Sequence, residues 1–387
     1  MNLGKSIQLS IGLIIPLLAM ANEAPPLKPL PVNRSTDAYA SRGEFLRAAA
    51  EFETARLRRL PFNTDQESSR FAGGEFRAEL GDGLGLKFIR IKAAHYTDGC
   101  TPELKAAVLA VPNRAMDLRR WEDMFETTRR DRVVVAYDYF MSETIVTNAM
   151  FAAFVRDTGY RTCVERYATG WIVDTKAQWL QGFANDWRLQ LHPMDQPDHP
   201  VVQVSWFDAM NFAAWLSRRT GVIFRVPTKE EWLLAARPES MCDEFCLFPW
   251  GNALTDLGQR MNFGTAELSA YHWIHEQFTD GFAYTSPVRA FPANSRGLHD
   301  MQGNVWVWNW TDAAHYEARA PGPRSARPPA LDELGVAENR PTSMQGGCYL
   351  ARVSHANLLA KMSHPALDGA EDIGFRLVAV RKADSGL

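Results

Sequence analysis

A run of tryptophans constrains the fold of this chain more than any other feature of its sequence. Trp306, Trp308 and Trp310 stand at alternate positions, a spacing that places side chains on one face of an extended strand. Gly303, just upstream, indicates a close approach of the backbone to another part of the chain. Such rings need a large interior, and 387 residues are enough for one large domain or two smaller ones. We therefore predict a core strand.

The charge balance gives no electrostatic reason for binding nucleic acid. The chain has 42 Lys and Arg against 45 Asp and Glu, a formal net charge of −3. Mixed charges of this kind are typical of an ordinary soluble surface, without a basic patch for phosphate groups. We expect no nucleic-acid partner.

The N-terminus has the pattern of a secretory signal peptide over residues 1–21. Lys5 supplies the positive charge, Ile7–Leu18 forms the apolar core, and Ala19–Ala21 fits a cleavage site of small residues. The apolar core is too short for a comfortable membrane span, although an uncleaved anchor remains the alternative. The rest of the sequence has no comparable segment. We expect a mature chain that begins near Asn22 and is periplasmic, not transmembrane.

Residues 22–85 are predicted to form a linker and a helical extension. Pro25–Pro31 is rich in proline, which favours an extended linker. Ser41–Leu60 has the apolar period of a helix, and Pro61 ends it. The predicted apolar side of that helix carries Phe45, Ala48, Phe52, Ala55 and Leu60.

Apolar patterns and capping residues predict short elements in the rest of the chain. The predicted strands are Leu86–Ile91, Val133–Phe140 and Val201–Val204. The predicted helix N-caps are Thr101, Thr147, Ser205 and Thr228. Glu231 completes a capping box with Thr228, the helix after Thr147 closes at Gly159, and the helix after Ser205 includes Ala209–Leu216.

Motifs in five parts of the chain resemble the formylglycine-generating enzyme (sulfatase-modifying factor) family. The motifs are Glu143–Tyr160, Asp198–Trp215, Arg225–Arg237, the run GLHDMQGNVWVW at 297–308, and Gly346–Tyr349 with Asp372–Arg376. The resemblance covers about residues 86–380, which makes 86–387 the family domain, with an insertion at about 98–130. It implies an α+β, C-type-lectin-like fold with little regular secondary structure. Caps and buried tryptophans establish fold and leave the chemistry open.

The resemblance also predicts that the family's copper chemistry is absent. The family enzyme oxidises a substrate cysteine to formylglycine with Cu(I) held by two of its own cysteines, and thiolates are the ligands that Cu(I) prefers. Those cysteines lie three and eight residues after the serine of the family's Gly-Gly-Ser-Trp motif. The corresponding residues here are Ala351 and Ala356. We therefore expect neither a copper ion nor catalytic residues of that kind.

Other residues of the emptied site are candidates for a different use. Cys348 replaces the family's serine and is either a reactive thiol or, as the better interpretation, a small buried residue. Tyr349, Arg352 and His355 are expected near the rim of a concave cleft, where Arg and Tyr are frequent anchors for a protein segment. A metal site formed by His355, His364 and Asp372 is a further alternative, less favoured than ordinary histidines.

Five cysteines leave at least one without a partner within the chain. Cys242 and Cys246 are close enough in sequence to form a disulfide in an oxidising compartment, and Cys100 and Cys163 are a second candidate pair. Cys348 is the residue we expect to stay unpaired.

The resemblance implies calcium sites, of which we expect one to be retained. The first has side-chain ligands from Asn262 and Asp280 and carbonyl ligands from Phe263 and Phe282. Oxygen ligands of this kind suit Ca²⁺, although loop hydrogen bonding explains the same residues nearly as well. The second site has as its ligands Asp300 and the carbonyls of Gly303 and Val305. Its closing glutamate is Val307 here, which makes this second site doubtful.

Two classes of function follow. The first is a non-catalytic periplasmic binding or regulatory protein that holds a protein or peptide segment. It resembles the TagR-type accessory proteins of type VI secretion, which signal through the outer domain of a membrane Ser/Thr kinase. The second is a periplasmic enzyme with non-copper chemistry, as in the family relative that matures the siderophore pyoverdine. A formylglycine-generating oxidase is a remote third.

Overall fold

The computed structural model describes residues 41–60, 72–111, 131–174, 178–182, 186–188, 196–268, 274–275, 277–312, 324–325, 328–360 and 362–387. The predicted signal peptide, the proline-rich linker and most of the predicted insertion lie outside these residues. Within them, no helix is long and apolar enough to cross a membrane.

Helices and strands are short, as expected for the α+β fold. The helices are α1 (Arg42–Leu57), α2 (Pro102–Leu109), α3 (Asn148–Thr158), α4 (Cys163–Tyr167), α5 (Trp206–Thr220) and α6 (Lys229–Ala236). The first strands are β1 (Glu75–Gly81), β2 (Leu84–Ile91), β3 (Ala94–Asp98), β4 (Asp131–Val135), β5 (Tyr139–Ser142), β6 (Gly170–Val173), β7 (Trp179–Gly182) and β8 (Ile223–Arg225). The later strands are β9 (Trp306–Asp312), β10 (Arg324–Ser325), β11 (Pro341–Gln345), β12 (Met362–Pro365), β13 (Gly369–Ala370), β14 (Ile373–Gly374) and β15 (Val378–Val380).

The strands form sheets that join distant parts of the chain. The strand orders are β1-β2-β5-β15-β8, β10-β4-β3, β12-β11-β9-β14 and β13-β6-β7. The C-terminal strand β15 lies between β5 and β8, antiparallel to both. The first sheet is therefore completed only by the last residues of the sequence.

The tryptophan strand is β9, which confirms the predicted core strand. Trp306, Trp308 and Trp310 are at most 2% exposed. β9 lies between β11, which is antiparallel to it, and β14, which is parallel. On the face opposite the three tryptophans, the hydroxyl of Thr311 accepts a hydrogen bond from the backbone N–H of Lys229 at the start of α6. The strand is thus covered on both faces.

Two predicted strands differ in the structure. The segment Val133–Phe140 is divided between β4 and β5, because the side chain of Asp138 turns the chain by accepting hydrogen bonds from Ala93 N–H and Arg90. The segment Val201–Val204 is not a strand. Gln203 has a positive φ of 57°, which removes the chain from the extended conformation.

The predicted caps are confirmed. Thr101, Thr147, Ser205 and Thr228 each accept a hydrogen bond from the backbone N–H three residues later. Glu231 completes the capping box with Thr228, and Gly159 ends α3 in the left-handed conformation. Each cap satisfies a backbone N–H that the helix leaves free, and that N–H is only three residues away. The caps can therefore be predicted from local sequence.

Helix α1 is present, but its buried side differs from the predicted one. The predicted apolar residues are only half-buried, while the buried residues are Ala49, Ala50, Glu53, Thr54 and Leu57. The buried carboxylate of Glu53 is stabilised by an ion pair with Arg166 and by a 2.6 Å hydrogen bond that the hydroxyl of Tyr167 donates to it. A buried ion pair, rather than an apolar stripe alone, therefore fixes the orientation of this helix.

Candidate functional site

The candidate site is built where the turn after β11 meets the segment before β14. Gly346 and Gly347 have φ angles of 107° and 73°, which favour glycine. A Cβ on Gly347 would lie 2.7 Å from the Cα of Ala356, so these segments pack directly on each other. The tight turn brings Cys348 to Asp372, with 3.2 Å between the thiol sulfur and a carboxylate oxygen.

The two positions expected to lack copper ligands are both closely packed. Ala356 is fully buried, and its amide donates to the carbonyl of Arg352. The carbonyl of Ala351 accepts a hydrogen bond of 2.8 Å from Gly264. Each position therefore contributes a methyl group and no sulfur to this part of the structure.

Cys348 is held as a protonated thiol. Burial raises its pKa well above the usual value, and the nearby Asp372 carboxylate raises it further. The thiol donates its hydrogen to that carboxylate. Because the thiolate is the nucleophilic form of cysteine, this environment favours the small buried residue over the reactive thiol.

Two buried carboxyl groups follow each other in sequence here, and the second of them, Asp372, is the partner of the thiol. Burial raises the pKa of Asp372 to about 6 and that of Glu371 to about 7. Glu371 accepts a hydrogen bond from the backbone of Val173 and lies close to the Tyr349 hydroxyl. Glu371 was not among the predicted site residues, although the acidic pair Glu371-Asp372 stands just before the Gly-Phe-Arg run, Gly374–Arg376, of the family motif.

The prediction that Tyr349, Arg352 and His355 lie at the rim of a cleft is wrong. Their exposed fractions are 0%, 8% and 7%. The chain turns inward here, with His355 and Ala356 both donating backbone hydrogen bonds to the carbonyl of Arg352. The pKa of His355 is lowered to about 3 by burial and by the charge of Arg352, so the imidazole is neutral.

The alternative metal site at His355, His364 and Asp372 is not formed. In the part of the chain that the structure describes, no three His, Cys, Asp or Glu side chains are grouped to hold a metal. His364 instead lies 3.5 Å from Asp368, and its ring is in edge contact with the rings of Trp171 and Trp308.

The two candidate disulfides are not formed either. All five cysteines are free thiols. Cys246 donates to the carbonyl of Phe248, and Cys100 donates to the carbonyl of Thr101. Burial raises the pKa of both thiols to about 11, so they remain protonated.

The residues of the first predicted calcium site fit a cation. The carboxylate of Asp280 accepts 2.9 Å hydrogen bonds from the backbone of Phe263, the residue after Asn262, and of Phe282. The amide nitrogen of Asn262 donates to the carbonyl of Tyr284, while its buried amide oxygen has no hydrogen-bond partner. A half-buried carboxylate and an unused amide oxygen on neighbouring segments are donors of the kind that suits Ca²⁺.

The residues of the second predicted site fit calcium poorly. Asp300 has one carboxylate oxygen without a hydrogen-bond partner, and the backbone turns closely at Gly303, where a Cβ would lie 2.1 Å from the carbonyl of Asn262. Val307, however, is a buried hydrocarbon side chain in β9. The second site therefore has one side-chain ligand, Asp300, where the first has two, and Ca²⁺ prefers six to eight oxygen ligands.

Comparison with known proteins gives consistent matches along most of the chain. Residues 106–381 match the model of the sulfatase-modifying factor enzyme 1-like domain. The formylglycine-generating enzyme of Thermomonospora curvata is 31% identical over 275 residues, which cover 64% of this chain and 84% of the relative. The inactive C-alpha-formylglycine-generating enzyme 2 of Bos taurus is 33% identical over 194 residues, or 45% of this chain and 58% of the relative.

A kinase and a solved structure are also similar. The serine/threonine-protein kinase pkn1 of Chlamydia pneumoniae is 28% identical over 220 residues, which cover 56% of this chain and 29% of the kinase. The structure of PvdO from Pseudomonas aeruginosa superimposes with a TM-score of 0.54 and 19% identity, over 79% of this chain and 98% of that one. The structural likeness shows the shared fold.

Proposed function

The chain belongs to the sulfatase-modifying factor family, and we propose that it is a non-catalytic periplasmic binding protein that regulates a membrane Ser/Thr kinase in type VI secretion. The observation that carries the proposal is the pair of methyl groups at Ala351 and Ala356. Without thiolates at these positions, the family's route to Cu(I) is absent. The scaffold then serves through its surface.

The relatives support such a use of the scaffold. One relative is itself named an inactive formylglycine-generating enzyme, so loss of activity is compatible with the family fold. Another carries a similar stretch within a chain named a Ser/Thr kinase. That association favours a kinase as the partner of the present chain.

The outer face of α1 is the surface that we assign to the partner. Glu44, Arg47 and Glu51 are exposed and stand three and four residues apart, a spacing that places them on one side of the helix. The helix lies outside residues 106–381, which match the family model. Its opposite side is fixed to the domain through Glu53, which leaves the charged side available.

The test is binding of the kinase's outer domain to purified protein by biolayer interferometry. The double variant Arg47→Glu/Glu51→Arg reverses two exposed charges without changing the buried side of α1, and it should weaken binding. Lys92→Glu changes an exposed charge beyond β2 and should leave binding intact. Arg352→Glu is unsuitable because Arg352 is buried. Equal binding by wild type and both variants, or no binding at all, would reject this surface or this partner respectively.

An enzyme with other chemistry is the second candidate, and one observation favours it. Glu371 and Asp372 are buried acids whose pKa values of about 7 and 6 suit proton transfer near neutral pH. Turnover of a siderophore precursor by wild type, lost in Glu371→Gln, would support this candidate. A precursor unchanged after incubation with wild type would exclude it.

A further inference from the structure

Two neighbouring side chains on β7 are large, apolar and exposed. Trp179 is 46% exposed and Leu180 is 45% exposed. Among the residues that the structure describes, the third such side chain is Leu387, at the end of the sequence. Apolar surface gathered in one place marks a site where another segment binds. We call Trp179 and Leu180 the β7 surface.

The β7 surface lies at the edge of a sheet. The strand order of this sheet is β13-β6-β7, so β6 is the described neighbour of β7. Trp179 pairs with Val173 and Leu180 with Ile172. Adjacent side chains of a strand point to opposite faces, so a segment that runs along this edge can contact both apolar side chains.

The first turn of α1 lies next to the start of β6. Arg42 donates hydrogen bonds to the carbonyls of Tyr167, at 2.7 Å, and Ala168, at 3.2 Å. The ring of Phe45 is in edge contact with that of Tyr167. Ala168 stands just before β6, which begins at Gly170. The part of the chain that precedes Ser41 is therefore attached beside the β6–β7 pair.

The proline-rich run Pro25–Pro31 is close enough in sequence to reach β7. The chain from Pro31 to Ser41 spans roughly 35 Å when it is extended. Ala168 and Trp179 are at most about 22 Å apart, which is the length of a strand to Val173 plus one spacing between strands. The connection is longer than this separation, and the difference leaves room for the side chain of Arg42.

The residues of the run suit a surface that contains a tryptophan. Pro26 and Pro29 stand three positions apart, and a polyproline II helix has three residues per turn, so it places both rings on one side. Segments of this kind bind grooves lined by aromatic side chains and lose little conformational freedom on binding. Leu27 and Leu30 have the same spacing and add apolar side chains.

We propose that Pro25–Pro31 docks on the β7 surface of its own chain, with Pro26 and Pro29 against the ring of Trp179. A short connection holds the run at an effective concentration on the order of 1 mM beside β7, which favours it over a second copy of the chain. The docked run covers the outer edge of β7 and prevents it from pairing with another strand. The proposal is independent of the kinase assignment, because it uses no residue of the charged side of α1.

The test uses the chain from Asn22, the predicted mature N-terminus, labelled with 5-fluorotryptophan. The ¹⁹F resonance of Trp179 is assigned with Trp179→Phe, and a dissolved nitroxide broadens the resonances of rings that it can reach. Pro26→Ser/Pro29→Ser removes the two rings that face Trp179. If the dissociation constant of docking equals the effective concentration, the run is bound half of the time, and its release should about double the broadening of Trp179.

Two controls show whether the effect belongs to the run. Pro292→Ser makes the same substitution at an exposed proline outside it and should leave the broadening of Trp179 unchanged. A synthetic peptide of residues 22–34, added at millimolar concentration to the Pro26→Ser/Pro29→Ser protein, should protect Trp179 again. The same peptide with both serines should not.

The proposal is wrong if wild type and Pro26→Ser/Pro29→Ser show equal broadening, or if the wild-type peptide leaves Trp179 unprotected. Protection that is lost on dilution would overturn it in favour of a second copy of the chain. Protection that requires phospholipid vesicles would overturn it in favour of a membrane surface. Both serine substitutions leave the sequence of the family domain unchanged, so a folding defect in that domain does not obscure the result.

Discussion

Removal of the buried charge of Glu53 should release α1 from the domain. The Glu53 side chain is fully buried and that of its partner Arg166 is 13% exposed. Removing one member of a buried ion pair costs about 3–5 kcal/mol. We take the lower limit for Glu53→Gln, because the guanidinium of Arg166 keeps its position 5.2 Å from the ring centre of Tyr167.

The expected effect is local and measurable by limited trypsin digestion. A loss of about 3 kcal/mol corresponds to roughly a hundredfold larger population of the undocked helix. Cleavage at Arg47 and Arg56 should accelerate by a similar factor when opening is fast relative to cleavage. The exposed pair of Arg156 and Asp82 supplies the control, since Asp82→Asn should cost less than about 1 kcal/mol.

A double variant separates the charge from the packing. Glu53→Leu/Arg166→Met replaces both charges with apolar groups of similar size, a change that is often neutral in buried ion pairs. It should restore resistance to trypsin close to that of wild type. If Glu53→Gln is cleaved no faster than wild type, or if the double variant is as labile as the single one, the ion pair does not hold the helix.

Three further predictions concern the candidate site. Burial raises the pKa of Glu371 from its ordinary 4.5 to about 7, so the contribution of its protonated carboxyl to stability is complete below pH 4.5 and is lost as the pH rises to about 7. The melting temperature of Glu371→Gln should therefore rise relative to that of wild type between about pH 4.5 and 7, whereas Glu79→Gln, exposed on β1, should show no trend. If the first calcium site is occupied, EDTA should lower the melting temperature of wild type and leave Asp280→Ala unchanged; equal melting of wild type with and without EDTA would contradict the site. With Ala351 and Ala356 in place, mass spectrometry should find no formylglycine in a Cys-x-Pro-x-Arg peptide after incubation with the protein and Cu(I), and a converted peptide would refute the non-catalytic assignment.

Local signals predicted much of the fold. Thr147, Ser205 and Thr228 cap helices because the partner of each hydroxyl is only three residues away. The alternate spacing of Trp306, Trp308 and Trp310 predicted β9, since a period of two is a property of any strand. Such features depend on neighbours in sequence and are therefore visible without tertiary information.

Features set by distant contacts were not predictable in this way. Gln203 leaves the extended conformation at the point where its backbone N–H donates a hydrogen bond to the carbonyl of Ala370, a residue far away in sequence. Glu53 is buried only because Arg166 and Tyr167 meet it. The local pattern of residues 201–204 predicts a strand that is not formed, and that of α1 predicts the wrong buried side for a helix that is.

The candidate site shows the same division. Family motifs located Cys348 and the turn that carries it, but not its hydrogen bond to Asp372. The same motifs placed Arg352 at a rim, whereas the inward turn buries it. Position in a motif specifies a place along the chain, while exposure depends on everything packed around that place.

The central place of β15 has a consequence for how this protein can fold. Two sheet neighbours, β5 and β8, lie more than 150 residues upstream of β15, so their pairing closes long loops. Loop closure of this kind slows folding. In a chain synthesised from its N-terminus, the edges of β5 and β8 that pair with β15 stay unpaired until β15 has been made. During that interval, thiols that the finished structure buries would remain accessible to oxidants, and the speed with which the C-terminus docks would decide how many chains reach the native state.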